Sequence, residues 1–312
     1  MKRAIVLVIA FAAVITGCGS ASGSGQGSAA STSGGSTVSA TSAAAVLAAA
    51  GKSAKQATSV AFDATLGVKV GGNLQGSGAA GAALLNGPLK FEFKGHAGSA
   101  GGGKPKFDIT FAFNYPGGSF TGRALSPNGK VIYLQLPALM GPGWKSLSMA
   151  GVTHVGSAGS STTGGLSALK AEGLDPSKLL KNLTMTTANG QDTISADVDV
   201  AAVFAAVAKV EKGQGAITVK DQRMIARLEK AVTRAHGSLS FDSSTHLPTN
   251  EQMQFAMTVP PSLSASAKGL KSIALNLDVK FSDWNQSFLV AAPKGATPLN
   301  AGGLFGGLSS AA

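Results

Sequence analysis

Apolar and polar residues alternate without a break from Val60 to Val70. Val60, Phe62, Ala64, Leu66, Val68 and Val70 are separated by Ala61, Asp63, Thr65, Gly67 and Lys69. A period of two sends successive side chains to opposite faces of a pleated strand, so such a stretch buries one side only. The pattern returns at Phe91 and Phe93, at Phe107, Ile109, Phe111 and Phe113, and at Ile132, Leu134 and Leu136. It resumes at Leu239 and Phe241, then at Met253, Phe255, Met257 and Val259 before Pro260-Pro261, and last at Ile273, Leu275, Leu277, Val279 and Phe281. Asn128-Gly129 is a hairpin-turn signal that joins a strand around 119–125 to the next run. Strands wetted on one side belong to antiparallel sheets, and a sheet of eight or more twisted strands curls.

Between the two sets of strands the period changes. Asp175-Pro176 has the form of a helix start, with Asp175 as N-cap, Pro176 at the first helical position and Leu179, Leu180 and Leu183 following. A strand near 193–198 leads to Asp199, which can cap a helix through Lys209. Residues 221–235 form a stronger helical pattern, with Met224, Ile225, Leu228, Val232 and Ala235 on its apolar side. A further alanine-rich helix is expected over 42–55, capped by Ser42 and facing Val46, Leu47 and Ala50 inward. Gly-rich stretches at 71–87 and 95–103 are expected as mobile connections. The order of strands, helices, strands predicts one α+β domain over 43–293. It is a curved antiparallel sheet forming a half-open β-barrel, with helices covering the concave face.

The N-terminus carries a second constraint. Lys2 and Arg3 precede the uncharged run Ala4 to Ile15, and Gly17-Cys18 follows with the only cysteine in the chain. The run is shorter than the roughly 20 residues needed to span a bilayer, so residues 1–17 read as a cleavable leader. Residues 15–18 resemble a bacterial lipobox, and that resemblance implies diacylation of Cys18 after cleavage. The bland alternative is a conventional cleavage site near an unmodified cysteine. Residues 18–42, almost wholly Gly, Ser, Ala and Thr after Cys18, are expected to form a lipidated tether with a root-mean-square span of roughly 25–30 Å. The Gly-rich end, 294–312, is expected as a flexible tail. Expected partners are therefore membrane lipids through Cys18, with the chain a monomer on the extracytoplasmic face of the cell membrane.

The formal charge is +11. Losing Lys2 and Arg3 lowers 26 basic residues to 24 against 15 acidic ones, a formal +9. For an exported chain this favours anionic lipid headgroups or acidic envelope polymers over nucleic acid as partner. One cysteine allows no intramolecular disulfide. Lys220, Arg223, Arg227, Lys230 and Arg234 recur at spacings of three and four on the helical pattern. They are candidates for membrane docking, or they form an ordinary solvated face.

Four passages in this order resemble the LolA/LolB-like carrier fold, and more closely the actinobacterial LppX/LprG type of envelope lipoprotein. They are the helix leading into Val60, Val131-Ile132-Tyr133-Leu134 leading to Trp144-Lys145, Asp175-Pro176-Ser177-Lys178-Leu179-Leu180, and the last strand running into Trp284. The resemblance covers roughly 42–293. It implies acyl chains held between a curved sheet and its helices, transport or presentation of lipids and lipoglycans, no enzymatic activity and no cofactor. On that footing Phe62, Phe91, Phe93, Phe107, Ile109, Phe111, Phe113, Met253, Phe255 and Met257 are candidates for lining a cavity. The same residues would serve a solid core, which is the arrangement expected of a non-enzymatic envelope interaction or sensor module.

Other chemistry lacks support. His96, His154, His236 and His246 are scattered, so no metal site is expected. There is no Gly-x-Ser-x-Gly elbow. Gly76 to Gly81 matches Gly-x-Gly-x-x-Gly, yet Pro88 leaves too little room for the helix that should follow. Asp192, Asp197 and Asp199 lack calcium-loop spacing and suit capping or solvent-face roles.

Overall fold

The computed structural model describes residues 37–38, 40–72, 87–99, 104–149, 179–203, 205, 219–261 and 269–299. In chain order the elements are β1 (Thr37–Val38), α1 (Ala40–Gln56), β2 (Ser59–Gly72), β3 (Leu89–Ser99), β4 (Pro105–Tyr115), β5 (Gly118–Ser126) and β6 (Val131–Gln135). Then come α2 (Pro137–Met140), β7 (Lys145–Ser148), β8 (Leu180–Ala188), β9 (Gln191–Val198), α3 (Val219–Ala231), β10 (Val232–Asp242), β11 (Pro248–Thr258), β12 (Leu270–Ser282) and β13 (Thr297–Pro298).

Among the described residues, one open sheet takes thirteen strands in the order β1-β8-β9-β10-β11-β12-β2-β3-β4-β5-β6-β7-β13. Two meanders, β2 to β7 and β8 to β12, meet where β12 pairs with β2 along most of its length. Every pairing is antiparallel except the short parallel contact of β13 with β7, so the sheet is mixed rather than purely antiparallel. β1 lies in the segment expected as tether and pairs with β8. β13 lies in the segment expected as tail.

Register aligns the apolar phase of neighbouring strands. Phe62 is opposite Phe281 and Gly95, Leu66 opposite Leu277 and Phe91, and Phe91 opposite Phe113. Phe255 is opposite Leu275 and Ala235. The inward phases of all these strands therefore merge into one continuous apolar face. Its β8 to β12 half is packed. Met185, Ile194, Val198, Leu239, Phe241, Met253, Phe255 and Leu275 form a single buried cluster with Ala43, Leu47 and Ala50 of α1. Positions 43, 47 and 50 fall on one helix stripe, which is why an alanine-rich helix can sit close on a sheet.

Several expectations are corrected. α1 starts at Ala40, so Ser42 lies inside its first turn rather than capping it. Leu180 and Leu183 belong to a strand, β8, rather than to a helix, and Asp175-Pro176 lies outside the described residues. Asn182 sits at φ 53, where the β8–β9 register shifts between Lys181 and Thr184. This bulge absorbs one extra residue, and a three-residue spacing of leucines then serves the same face. Gly95 and Gly98 are within β3, paired with β2 and β4, rather than in a mobile connection, and β4 passes so close that a Cβ at Gly95 would come within 2.0 Å of the Asp108 carbonyl oxygen. The α3 helix ends at Ala231, where the β-branched Val232 and Thr233 enter a strand paired with β11.

Asp199 accepts a hydrogen bond from the Ala202 amide at 3.0 Å and caps a helical turn that begins at Val200. Of the expected middle-third helices, the turn beginning at Val200 joins the core through the buried Val203, while the side chains of Met224, Ile225 and Leu228 on α3 lie outside the described residues. Among the described residues, α1 and the helical turn carrying Val203 contribute to the core of the apolar face, and no described helix covers its β2 to β5 half.

Candidate functional site

The β2 to β5 half of the apolar face is aromatic and open. The rings of Phe91 and Phe113 stack at 4.5 Å between centroids, Phe120 meets Phe113 edge-on at 5.2 Å, and Tyr115 stacks on it at 5.4 Å. Phe93 and Phe111 lie tilted at 6.5 Å. Cross-strand pairing produces this ladder, since facing positions on adjacent strands bring large side chains into contact. Gly122 makes room for it, because a Cβ there would fall 2.5 Å from the Phe111 ring.

None of these rings is buried. Phe93 is 36% exposed and Tyr115 37%, whereas Met253 and Phe255 in the other half are 2% and 5% exposed. The candidate cavity residues thus separate into two groups. Phe62, Phe91, Phe107, Ile109, Phe111 and Phe113 are half-buried, and Phe93 is exposed, all on the open half. Met253 and Phe255 are inside the packed cluster, with Met257 half-buried beside it.

Glu251 was not among the residues singled out from the sequence. It is 2% exposed and shares the phase of Met253, Phe255 and Met257, facing Leu239 on β10 and Val279 on β12. Burial pushes its carboxyl up to about 7. The signal available in the sequence was that phase, an acid standing where the alternation places an apolar residue.

The opposite, polar face carries a concavity of ≈ 420 Å³ lined by Glu92, Lys94, Thr110, Thr121, Arg123 and Gln135, among others. Asp108 accepts from Arg123 Nε at 2.7 Å and from its Nη2 as well, which raises the guanidinium further. Lys90 donates to Glu92 at 2.6 Å and is the main reason that carboxyl is lowered. Arg123 also lies 6.0 Å from the Trp144 ring. Ordinary exposed ion pairs account for this face, each of them contributing little.

The basic residues are distributed over two elements. Arg223, Arg227 and Lys230 are exposed on α3, and Lys220 belongs to the same helix. Arg234 is exposed but lies on β10, so the five do not form one helix stripe. Cys18, His154 and the Gly76 to Gly81 stretch lie outside the described residues. Asp192 is buried and accepts from Thr187 Oγ1 at 2.6 Å, which corrects its expected solvent-face role. Asp197 is lowered chiefly by Asn182, then by His236 at 2.9 Å. Among the described residues no three His, Cys, Asp or Glu side chains group as metal ligands, and no helix is long and apolar enough to cross a membrane.

No family model matches the chain, and no curated protein does. A solved structure, that of the LolA superfamily protein NE2245 from Nitrosomonas europaea, aligns with 74% of this chain and 87% of its own. The identity is 9% and the TM-score 0.16, a likeness that carries no argument about what this chain does.

Proposed function

We propose that the chain is an envelope lipoprotein, anchored through Cys18 on the extracytoplasmic face of the cell membrane, that binds acyl chains and carries or presents lipids or lipoglycans. The observation that carries this reading is the contrast within one apolar face. Its β8 to β12 half is filled by α1, while Phe91, Phe93, Phe111 and Phe113 keep part of their surface accessible. An acyl chain needs apolar surface and few directional bonds, and each buried methylene contributes roughly 0.8 kcal/mol. Half-exposed phenylalanines in a ladder supply such a surface, and the protein needs no cofactor and no catalytic group to use it.

A solid-core interaction module is the second reading, favoured by the packing of Met253 and Phe255. In that case the aromatic ladder docks a protein or a polysaccharide. Native mass spectrometry of the purified chain separates the two. The lipid reading expects co-purified lipid and uptake of a fluorescent fatty-acid analogue. Lipid-free protein from repeated purifications, with no uptake, would leave the interaction module.

A further inference from the structure

Among the described residues, the buried side-chain polar atoms without a hydrogen-bond partner all fall in residues 243–251: Ser243 Oγ, His246 Nδ1, Thr249 Oγ1 and Glu251 Oε1. Native proteins leave few such atoms, and four in nine residues require an explanation. A loose hairpin does not supply one. Asp242 accepts from the backbone amides of Ser244 and Thr245 at 3.1 and 2.8 Å and from both their hydroxyls. Ser53 of α1 donates to the Thr245 carbonyl at 2.7 Å, and Trp284 Nε1 donates to the Pro248 carbonyl at 2.8 Å. The segment is well tied at its ends while four of its buried polar atoms lack partners.

Register connects this cluster to the open aromatic surface. Glu251, Val279, Ala64, Phe93, Phe111 and Gly122 occupy one row straight across β11, β12, β2, β3, β4 and β5. From Glu251 to Phe111 the row crosses four inter-strand spacings, about 19 Å. It passes over the small side chain of Ala64 midway. Glu251 lies within the packed half, on β11, with β12 between it and β2 of the open half. We propose that residues 243–251 hold the uncharged, hydrogen-bonding end of an acyl ligand, a hydroxyl or ester carbonyl, whose tail lies along Val279, Ala64, Phe93 and Phe111. This rests on the proposed lipid-binding function and names the class of lipid.

The surroundings of Glu251 decide the ligand's charge. It faces Leu239 and Val279, and the apolar phases of β10, β12, β2 and β3 carry no ionisable side chain. Asp192 lies on β9, opposite Phe241, and is already bonded to Thr187. His246 belongs to the cluster itself, and Lys52 and Lys55 of α1 are exposed. Among the described residues no lysine or arginine is therefore at hand for a fatty-acid carboxylate. In its neutral form Glu251 donates a hydrogen bond to a carbonyl or hydroxyl oxygen. In its ionised form it repels a carboxylate but still accepts from a hydroxyl.

Displacement of N-phenyl-1-naphthylamine from the full chain tests this, with 1-monopalmitoylglycerol and palmitic acid as the two probes at pH 5.5 and pH 8. Monopalmitoylglycerol should displace at about tenfold lower concentration than palmitate at pH 8, and the gap should narrow at pH 5.5. In E251Q the pH-dependent part of the gap should close. Equal displacement by both lipids at pH 8 overturns the inference and leaves the four atoms to water. A pH-dependent gap unchanged in E251Q overturns it too, since ionisation of palmitate alone then explains it. Displacement by neither lipid sinks the lipid-binding function itself.

Discussion

The Phe113 ring is stacked on Phe91 at 4.5 Å, the tightest contact of an aromatic ladder that also touches Tyr115 and Phe120. F113A should cost about 1–2 kcal/mol in stability, less than a fully buried phenylalanine, because the ring is only half-buried. On the lipid reading it should also weaken uptake of a fluorescent fatty-acid analogue by about fivefold or more, the equivalent of about 1 kcal/mol of contact. T121A, on the polar face, should leave uptake unchanged. Urea titration and fluorescence binding on the same preparations separate the two effects.

Glu251 makes stability depend on pH. Its carboxyl is raised from 4.5 to about 7 in the folded chain, so the unfolded chain ionises first as pH rises. The contribution is therefore fully present below about pH 4.5, is lost as pH climbs to about 7, and is flat beyond. The total loss is about 3 kcal/mol. E251Q should remove this decline and be more stable than the natural chain at pH 8. Denaturant midpoints at pH 5 and pH 8 for both proteins measure it. An equal decline in E251Q would assign the effect to other groups.

The bulge at Asn182 depends on a left-handed backbone and on a side-chain bond. Asn182 has φ 53, and its Nδ2 donates to Asp197 at 2.8 Å. N182V should cost about 1–3 kcal/mol, since a β-branched residue is strained there, while N182G should cost less. Thermal denaturation ranks the three proteins. If N182V equals the natural chain, the register shift does not require that conformation.

Removing the cations of α3 separates docking from decoration. The triple variant R223A/R227A/K230A should lower binding to liposomes containing anionic lipid by about a hundredfold if each charge contributes about 1 kcal/mol at the surface. R234A, on β10 rather than on the helix, should have a smaller effect. Sedimentation with liposomes at low salt gives the answer, and equal binding by the triple variant assigns these residues to a solvated face.

Much of the sheet was legible because an apolar period of two is a local property. β2, β4, β11 and β12 have Val60, Phe107, Met253 and Ile273 in the phase read from sequence, and register then aligned those phases. β8 was missed for a physical reason. A bulge gives leucines three apart the spacing of a helix, and Leu180 and Leu183 carry no other mark. Arg234 was misplaced because helical spacing continues past Ala231 although pairing with β11 has taken over. The division of the apolar face into packed and open halves was not legible at all. It depends on where α1 lies, and Ala43, Leu47 and Ala50 do not encode which strands they cover. Glu251 was visible only as a break in phase.

Both margins of the sheet consist of two-residue strands, Thr37–Val38 and Thr297–Pro298, and Pro298 has no amide hydrogen to offer. A thirteen-strand ribbon with long bare margins would template copies of itself into fibres. These short terminal pieces blunt that tendency. A chain cut before Thr297 would uncover the rim of β7, so residues 297–298 work as a guard against self-assembly.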